Sequence, residues 1–408
     1  MRRSRTGVST TVAAVVLVVA FAIAGIGGYF LVGGGGTAPT VTSTSTTSSG
    51  TASSVTSSGT SSTQPSTSTA FNDTAIMKGL ATAAQAECAQ QATCITIYTT
   101  QDAGNWVQFY GPLFYQQYPW AQGKVNYVSL SAADETTRLL SEFKAHNVQA
   151  DLSTGTLAPL IPVYQAGGFM NYTSPEASVM NYKADDVGPA WVVTNLAVVH
   201  MVYNPNFLSA DQVPKSWSDL ANPIYKNKIA FQSATALSIT TAEFYYLYTV
   251  MGNSSGQWTN LMNGIAANHP LLPSTAGNAE SDVLNGQAAI GIDVLDSYVT
   301  ALKGSPTAPL KIVDIEPLVY TPGVVAITAG AQHPAMAKLV EAWLISPPGQ
   351  TATYETNHLP YQSSIGTDLL SYLPPDYKLV PAYSTYSNTQ LFQDTGAWSD
   401  TFFTIFGH

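Results

Sequence analysis

The stretch that decides the fold runs from residue 93 to residue 156. It opens with Thr93-Cys-Ile-Thr-Ile-Tyr-Thr-Thr100, an alternating, β-branched run that predicts a first strand. The aromatic-rich segment Trp106 to Trp120 follows and predicts a helix with Phe109, Phe114 and Tyr115 turned inward. Lys124-Val-Asn-Tyr-Val-Ser-Leu130 predicts a second strand. Ser131-Ala-Ala-Asp134 matches a capping box and opens a helix whose Leu139, Leu140 and Phe143 share a face. Ala150-Asp-Leu-Ser-Thr-Gly-Thr156 predicts a third strand that ends in a polar loop. Strand and helix thus alternate, which argues for an α/β fold with a parallel sheet and helices on its faces. In such sheets ligands bind beyond the carboxyl ends of the strands. Topology alone therefore nominates Tyr98, Thr99, Thr100, Gln101 and Asp102 after the first strand, and Ser153, Thr154 and Thr156 after the third.

N-terminal to this body the composition changes abruptly. No charged side chain lies between Arg5 and Asp73. Val12 to Val32 is an apolar run of about 21 residues, enough to span a bilayer at about 1.5 Å per residue. Arg2, Arg3 and Arg5 precede it and no basic residue follows nearby, so positive charge places the N-terminus inside and everything from Gly33 onward outside. A conventional cleaved signal peptide competes with this reading. Arg5-Thr6-Gly7-Val8-Ser9, directly before the apolar run, resembles instead the type IV pilin-like (class III) signals of archaeal surface binding proteins. That resemblance implies cleavage after Gly7 and an apolar helix retained as a membrane anchor over residues 1–33. Residues 34–70 are almost all Ser, Thr and Gly and have nothing to bury, so they read as a flexible or O-glycosylated stalk.

The formal net charge is −10, and the three N-terminal arginines are among only fifteen basic residues. So acidic a body is repelled by phosphate backbones, which argues against a nucleic-acid partner. Only 10% of residues are charged, which fits either an ordinary neutral polar surface or one that faces strong acid with few carboxylates to protonate. Cys88 and Cys94 are the sole cysteines; beyond an export segment they read as a structural disulfide, and their spacing matches no zinc framework. Asn72, Asn171 and Asn253 each begin a glycosylation sequon that would be exposed on the outer face.

Several blocks in order carry a family resemblance. They are Asp151-Leu-Ser-Thr-Gly-Thr-Leu with Ala166-Gly-Gly-Phe; Trp191 through Val202-Tyr-Asn-Pro205; Val213-Pro-Lys-Ser-Trp-Ser-Asp-Leu-Ala-Asn-Pro223 with Tyr225-Lys-Asn-Lys-Ile-Ala230; and Pro322-Gly-Val-Val-Ala-Ile327 with Gly330 to Leu339 and Ser346-Pro-Pro-Gly-Gln350. Over about residues 95–365 the chain resembles the iron-type extracellular solute-binding proteins of ABC importers, a ferric-binding-like group. The resemblance implies a two-lobed periplasmic-binding-protein-like fold with crossover hinge strands near Trp191–Tyr203 and Thr321–Ile327. Lobe one would hold residues 95–190 and much of 325–408, and lobe two residues 200–320, within a solute-binding domain over 71–408. It also implies a monomer that delivers its solute to an ABC permease and its ATPase, and that needs no cofactor.

The resemblance further places Ala288-Ala-Ile-Gly-Ile-Asp293-Val-Leu-Asp296-Ser-Tyr298 where the family presents ligand residues. In the ferric-binding branch that segment carries adjacent tyrosines, phenolate donors suited to a hard trivalent cation. Here Asp293, Asp296 and Tyr298 stand in their place, while the one Tyr-Tyr pair in the body's middle, Tyr245-Tyr246, falls in a helical pattern. Bidentate anion recognition favours Arg, yet Arg138 is the only arginine beyond position 5. A metal cation such as iron, or a small organic cation or neutral solute, is therefore favoured over an anion. His200 reads as a strand residue within an apolar run, and His333 as a helix-start residue. No G-x-S-x-G, H-E-x-x-H or G-x-x-x-x-G-K occurs, which leaves a secreted hydrolase or a pilin-like surface protein as the rivals to solute capture.

Overall fold

The computed structural model describes residues 72–183, 187–233, 238–251, 256–362, 364–382 and 389–407. The expected signal, membrane segment and stalk lie outside the described residues, as does the sequon at Asn253. Chain contacts divide the protein into Met1–Ser66 and Thr67–His408, and the described residues belong to the second unit. Among the described residues no helix is long and apolar enough to cross a membrane.

In chain order the elements are α1 (Ala75–Glu87), β1 (Ile95–Thr99), α2 (Gly111–Gln117), β2 (Val125–Ser129), α3 (Ala132–Lys144), β3 (Leu152–Thr156), α4 (Leu157–Gln165), α5 (Pro175–Val179) and β4 (Val192–Tyr203). They continue with β5 (Ile229–Phe231), α6 (Ile239–Met251), α7 (Gln257–Ala267), α8 (Ala276–Leu284), β6 (Ile290–Val294), α9 (Leu295–Gly304), β7 (Lys311–Ile312) and β8 (Leu318–Ile327). The last are α10 (Pro334–Leu344), α11 (Pro347–Glu355), β9 (Leu359–Pro360), β10 (Leu379–Pro381) and α12 (Thr389–Phe406).

The three strands expected between residues 93 and 156 all form, and β1 pairs in parallel with β2 and β3. Ser131 caps α3, its hydroxyl oxygen accepting from the Asp134 backbone N–H at 3.1 Å. The return leg differs from a standard capping box, because the Ser131 hydroxyl donates to the Asp134 carboxylate at 2.7 Å. The aromatic segment is helical, but its first turn, Trp106–Tyr110, is a π-helix. Its buried face is Trp106, Tyr110, Phe114 and Tyr118, whereas Phe109 and Tyr115 are only half-buried. The i, i+4 repeat, not the density of aromatics, selects that face, and Phe114 and Trp343 of α10 meet edge to face at 5.1 Å. Cys88 and Cys94 are disulfide-bonded, joining the end of α1 to the start of β1.

The sheet order is β2-β1-β3-β8-β4-β6-β5. Two long strands hold it together. Residues 323–327 of β8 pair antiparallel with β3, and residues 319–325 pair with β4. The far end of β4, Val199–Tyr203, pairs with β6, which runs parallel to β5. Strand alternation then builds the cores. Ile290, Ile292 and Val294 of β6 face α6 and α7, while Gly291 and Asp293 face α8 and α9. On the first half of the sheet, α1, α2 and α10 cover one face through Met77, Phe114, Leu339 and Trp343. Helix α12 packs on both α4 and α7.

Candidate functional site

A cleft of about 510 Å³ opens where the carboxyl ends of β1 and β3 meet the polar ends of β5 and β6. Strand geometry explains its lining. Thr100 and Gln101, just past the end of β1, and Thr154, Gly155 and Thr156, the last residues of β3, face it from the first half. Gln232, Ser274, Thr275, Asp296 and Ser297 face it from the second, and Thr194, Asn195 and Gly323 from the two long strands. At Gly323 a side chain would collide with Asn195, so this crossing needs glycine. Trp106, Tyr110 and Tyr127 form an aromatic corner, with Trp106 and Tyr127 rings 5.5 Å apart. Gln101 is set by that corner, its side-chain oxygen accepting from the hydroxyls of Tyr110 at 3.2 Å and Tyr127 at 3.5 Å.

Among the described lining residues there is no lysine or arginine. The charged side chains are Asp134 and Asp296, with His358 beside the latter: His358 Nε2 lies 3.6 Å from Asp296 Oδ2. The N-terminal turns of α3, α4, α8 and α9 also open on the cleft with their positive dipole ends, Ser131 and Thr275 capping one N–H each in α3 and α8. Asp134 and Asp296 sit in the first turns of α3 and α9 and oppose the positive ends of those two helices. The cleft therefore offers donors at helix starts, acceptors at two carboxylates, and neutral hydroxyls and amides between them.

Of the eleven ligand residues expected from sequence, Thr100, Gln101, Thr154, Thr156 and Asp296 line the cleft. The others do not reach it. Tyr98 is buried, its hydroxyl donating to Glu142 at 2.7 Å and its ring covered by Arg138 at 4.6 Å. Asp102 is exposed and accepts from the Gly104 backbone at 2.6 Å. Ser153 points down to Glu135, donating to Oε1 at 2.7 Å. Asp293 is fully buried on the α8/α9 face of β6. Tyr298 packs its ring against His200, 5.5 Å away, and Tyr372. The physical reason is shared: Tyr98, Ser153 and Asp293 are inside strands, where alternation sends them toward helices. Tyr245 and Tyr246 lie on α6 as expected, and His333 occupies the start of α10, its backbone N–H donating to Asp151 at 2.8 Å.

Sequence reasoning missed the buried acids behind the cleft walls. Glu135, in the first turn of α3, is 1% exposed, and its Oε2 has no partner. Burial pushes its carboxyl up to about 8, against the partial relief of the Ser153 hydrogen bond. In the second half Glu280 of α8 meets Asp293. Burial, then the neighbouring Glu280, raises Asp293 well above the carboxylate range, and Glu280 is raised by burial as well. His200, opposite Asp293 in the β4–β6 register, is lowered by burial to about 3 and is neutral. Its ring nitrogens find at best a weak contact with the Val294 backbone. A Ser-x-x-x-Glu spacing at the start of α3 could have pointed to Glu135; nothing local marks the other pair.

Known proteins share this architecture. The chain resembles iron-bound HitA from Pseudomonas aeruginosa at 16% identity and TM-score 0.61, over 76% of this chain and 99% of that one. The ferric binding protein from Campylobacter jejuni matches at 16% identity and TM-score 0.62, over 76% and 99%. AfuA from Actinobacillus pleuropneumoniae, solved with fructose-6-phosphate, matches at 20% identity and TM-score 0.60, over 77% and 97%. At such identities the likeness is one of fold, an α/β periplasmic-binding-protein fold. A curated relative from Haemophilus influenzae, described as an uncharacterized protein, is 30% identical over 154 residues, 36% of this chain and 42% of that relative. The chain thus spans less than half the length of that relative. The profile of the bacterial extracellular solute-binding proteins matches residues 160–375, from α4 through the strands and helices of the second cleft wall to α11 and beyond. That match covers more than half of a chain whose cleft lies at the strand ends, and the protein belongs to the bacterial extracellular solute-binding family, a family of binders and not of enzymes.

Proposed function

We propose that this protein captures a small neutral or zwitterionic polar solute outside the cell and hands it to an ABC permease and its ATPase. One observation carries the reading: the cleft combines four helix N-termini, fourteen Ser, Thr, Asn and Gln side chains, two carboxylates and His358 with no lysine or arginine among its described lining residues. A ligand with both acceptor and donor groups satisfies that set; a fully anionic one would meet Asp134 and Asp296. The halves of the sheet joined by β4 and β8 act as the two lobes, about 95–190 with much of 325–408 against 200–320. Solute would bind the closed form more tightly and so populate the state the permease accepts.

A second reading is a metal cation, favoured by the Asp296–His358 pair at 3.6 Å. Ferric iron held by adjacent tyrosines, as the family resemblance implies, lacks its donors here: Tyr298 is buried and Tyr245-Tyr246 lies on α6. The retained N-terminal helix and the stalk would tether the binder at the outer face of the membrane as a monomer, with Asn72 and Asn171, both exposed, open to glycosylation.

The test is a thermal-shift screen of the full chain against sugars and polyols, amino acids, polyamines, phosphate esters and metal salts. A shift confined to neutral or zwitterionic solutes is expected, abolished by Asp296→Ala. A shift with Fe³⁺ or Zn²⁺ alone would select the metal reading, and silence across the whole panel would sink solute capture.

A further inference from the structure

The acid pair behind the second cleft wall uses chemistry that solute contact does not explain. Asp293 is 0% exposed and Glu280 6% exposed. As ionised groups, Glu280 Oε2 is without a donor and Asp293 has at best a weak contact with the Val294 backbone N–H; with a proton between them the two carboxyls hydrogen-bond each other. Among the described residues no lysine or arginine bears on them. From β4 they meet His200, directly opposite Asp293, and Tyr203 lies further along the same strand. From α9 the charge of Asp296 bears on both, Tyr298 lies near them, and the Tyr372 ring lies beyond Tyr298. Every one of these side chains is neutral or negative, and a single backbone N–H, that of Val294, is too little to hold two buried negative charges.

The pair also stands at a mechanical junction. Glu280 is one turn into α8, whose first turn, capped by Thr275, brings Gly277 to the cleft. Asp293 is one residue from the end of β6, and the chain passes directly into α9, whose first turn brings Asp296 and Ser297 there. Small residues, Ala279 and Gly291, let α8 lie close against β6, and a methyl at Gly291 would sit 2.9 Å from Val283.

We propose that Asp293 and Glu280 share one proton as a clamp between β6 and α8, and that this proton sets the spacing of the two helix starts that form the second wall of the cleft. They are positioning residues: neither reaches the solute. When the proton leaves, two like charges in contact must separate, and α8 lifts from β6. The consequence for capture, tighter binding in acid than in alkaline medium, rests on the cleft being the solute site; the clamp does not.

Hydrogen–deuterium exchange on the full chain without solute tests it, at a series of pH values from 5 to 9 corrected for intrinsic exchange. Protection over residues 274–284 and 290–297 should fall by about tenfold per pH unit above the point where the proton is lost, more steeply than that of β1 and β3. Asp293→Asn keeps a donor toward Glu280 at every pH and should flatten that profile; Glu280→Gln serves if the first variant does not fold. Protection that is independent of pH in the natural chain, that falls equally everywhere, or that falls alike in the variant would overturn the proposal. A silent solute screen beside an intact exchange profile would instead count against the cleft reading alone.

Discussion

Behind the first wall of the cleft the Glu135 carboxyl lies beneath β3 with one hydroxyl to hold it; behind the second, Asp293 and Glu280 hold each other. Both arrangements keep protons in the folded chain, but they do so differently. A lone acid gives up its proton at one point set by desolvation. A touching pair loses protons in two steps that belong to neither residue alone, and the first charge suppresses the second. The acid behind the first wall should therefore act as a simple titrating group, and the pair behind the second as a coupled, anticooperative one.

The largest expected effect concerns both halves together. Glu243 and Glu341 are likewise buried and raised well above the carboxylate range by burial. A carboxyl raised on folding contributes stability that is complete below its unfolded value and lost as pH rises through its folded one. For Glu135 that window runs from 4.5 to about 8, on the order of 4 kcal/mol for this group alone. His200 works in the opposite sense: it is lowered from 6.5 to about 3, so its neutral burial loses stability as pH falls through that range. Melting temperature should peak near pH 5 and fall by about 10 °C or more by pH 9. A flat profile across that range would break the comparison at its root.

Glu135→Gln separates the halves. The amide should change stability little at pH 5 and remove the first half's share of the alkaline loss, on the order of 4 kcal/mol by urea unfolding at pH 8.5. If the variant keeps the full pH dependence, the other buried acids carry all of it.

A smaller effect is expected at Gly155, where a methyl would sit 3.0 Å from Glu135 Oε2 and 3.3 Å from Thr100 Cγ2. Gly155→Ala should cost about 1–2 kcal/mol, and less when combined with Glu135→Ala, a coupling that a double-mutant cycle measures. The smallest effect is at Arg138. Its pair with Glu142 is 2.9 Å long, but the arginine is 47% exposed, so Arg138→Ala should cost only about 0.5 kcal/mol. A loss several times larger would mean that the Tyr98–Glu142–Arg138 contacts support the first half as strongly as Glu135 does.

Much of this molecule was legible in its residues. The alternation in 93–100, 124–130 and 150–156 and the Ser131 cap are local signals, and the parallel strands and α3 follow them. Thr100, Gln101, Thr154 and Asp296 could be nominated because strand ends and helix starts are themselves sequence features. Tyr98, Ser153 and Asp293 were harder, since one step along a strand reverses the face a side chain occupies. The inward face of 106–120 depended likewise on which turn of helix met α10.

By itself the sequence determined the α/β class, the order of elements, the scarcity of basic groups and the abrupt change of composition before residue 71, because each depends on neighbours along the chain. Tertiary structure alone decided which carboxyls would be neutral. Glu135, Glu280 and Asp293 look like any acidic residues in the sequence; only the packing of α3 on β3 and of α8 on β6 removes water from them and brings two of them together. A protonation state is a property of surroundings, and those surroundings are assembled from distant parts of the chain.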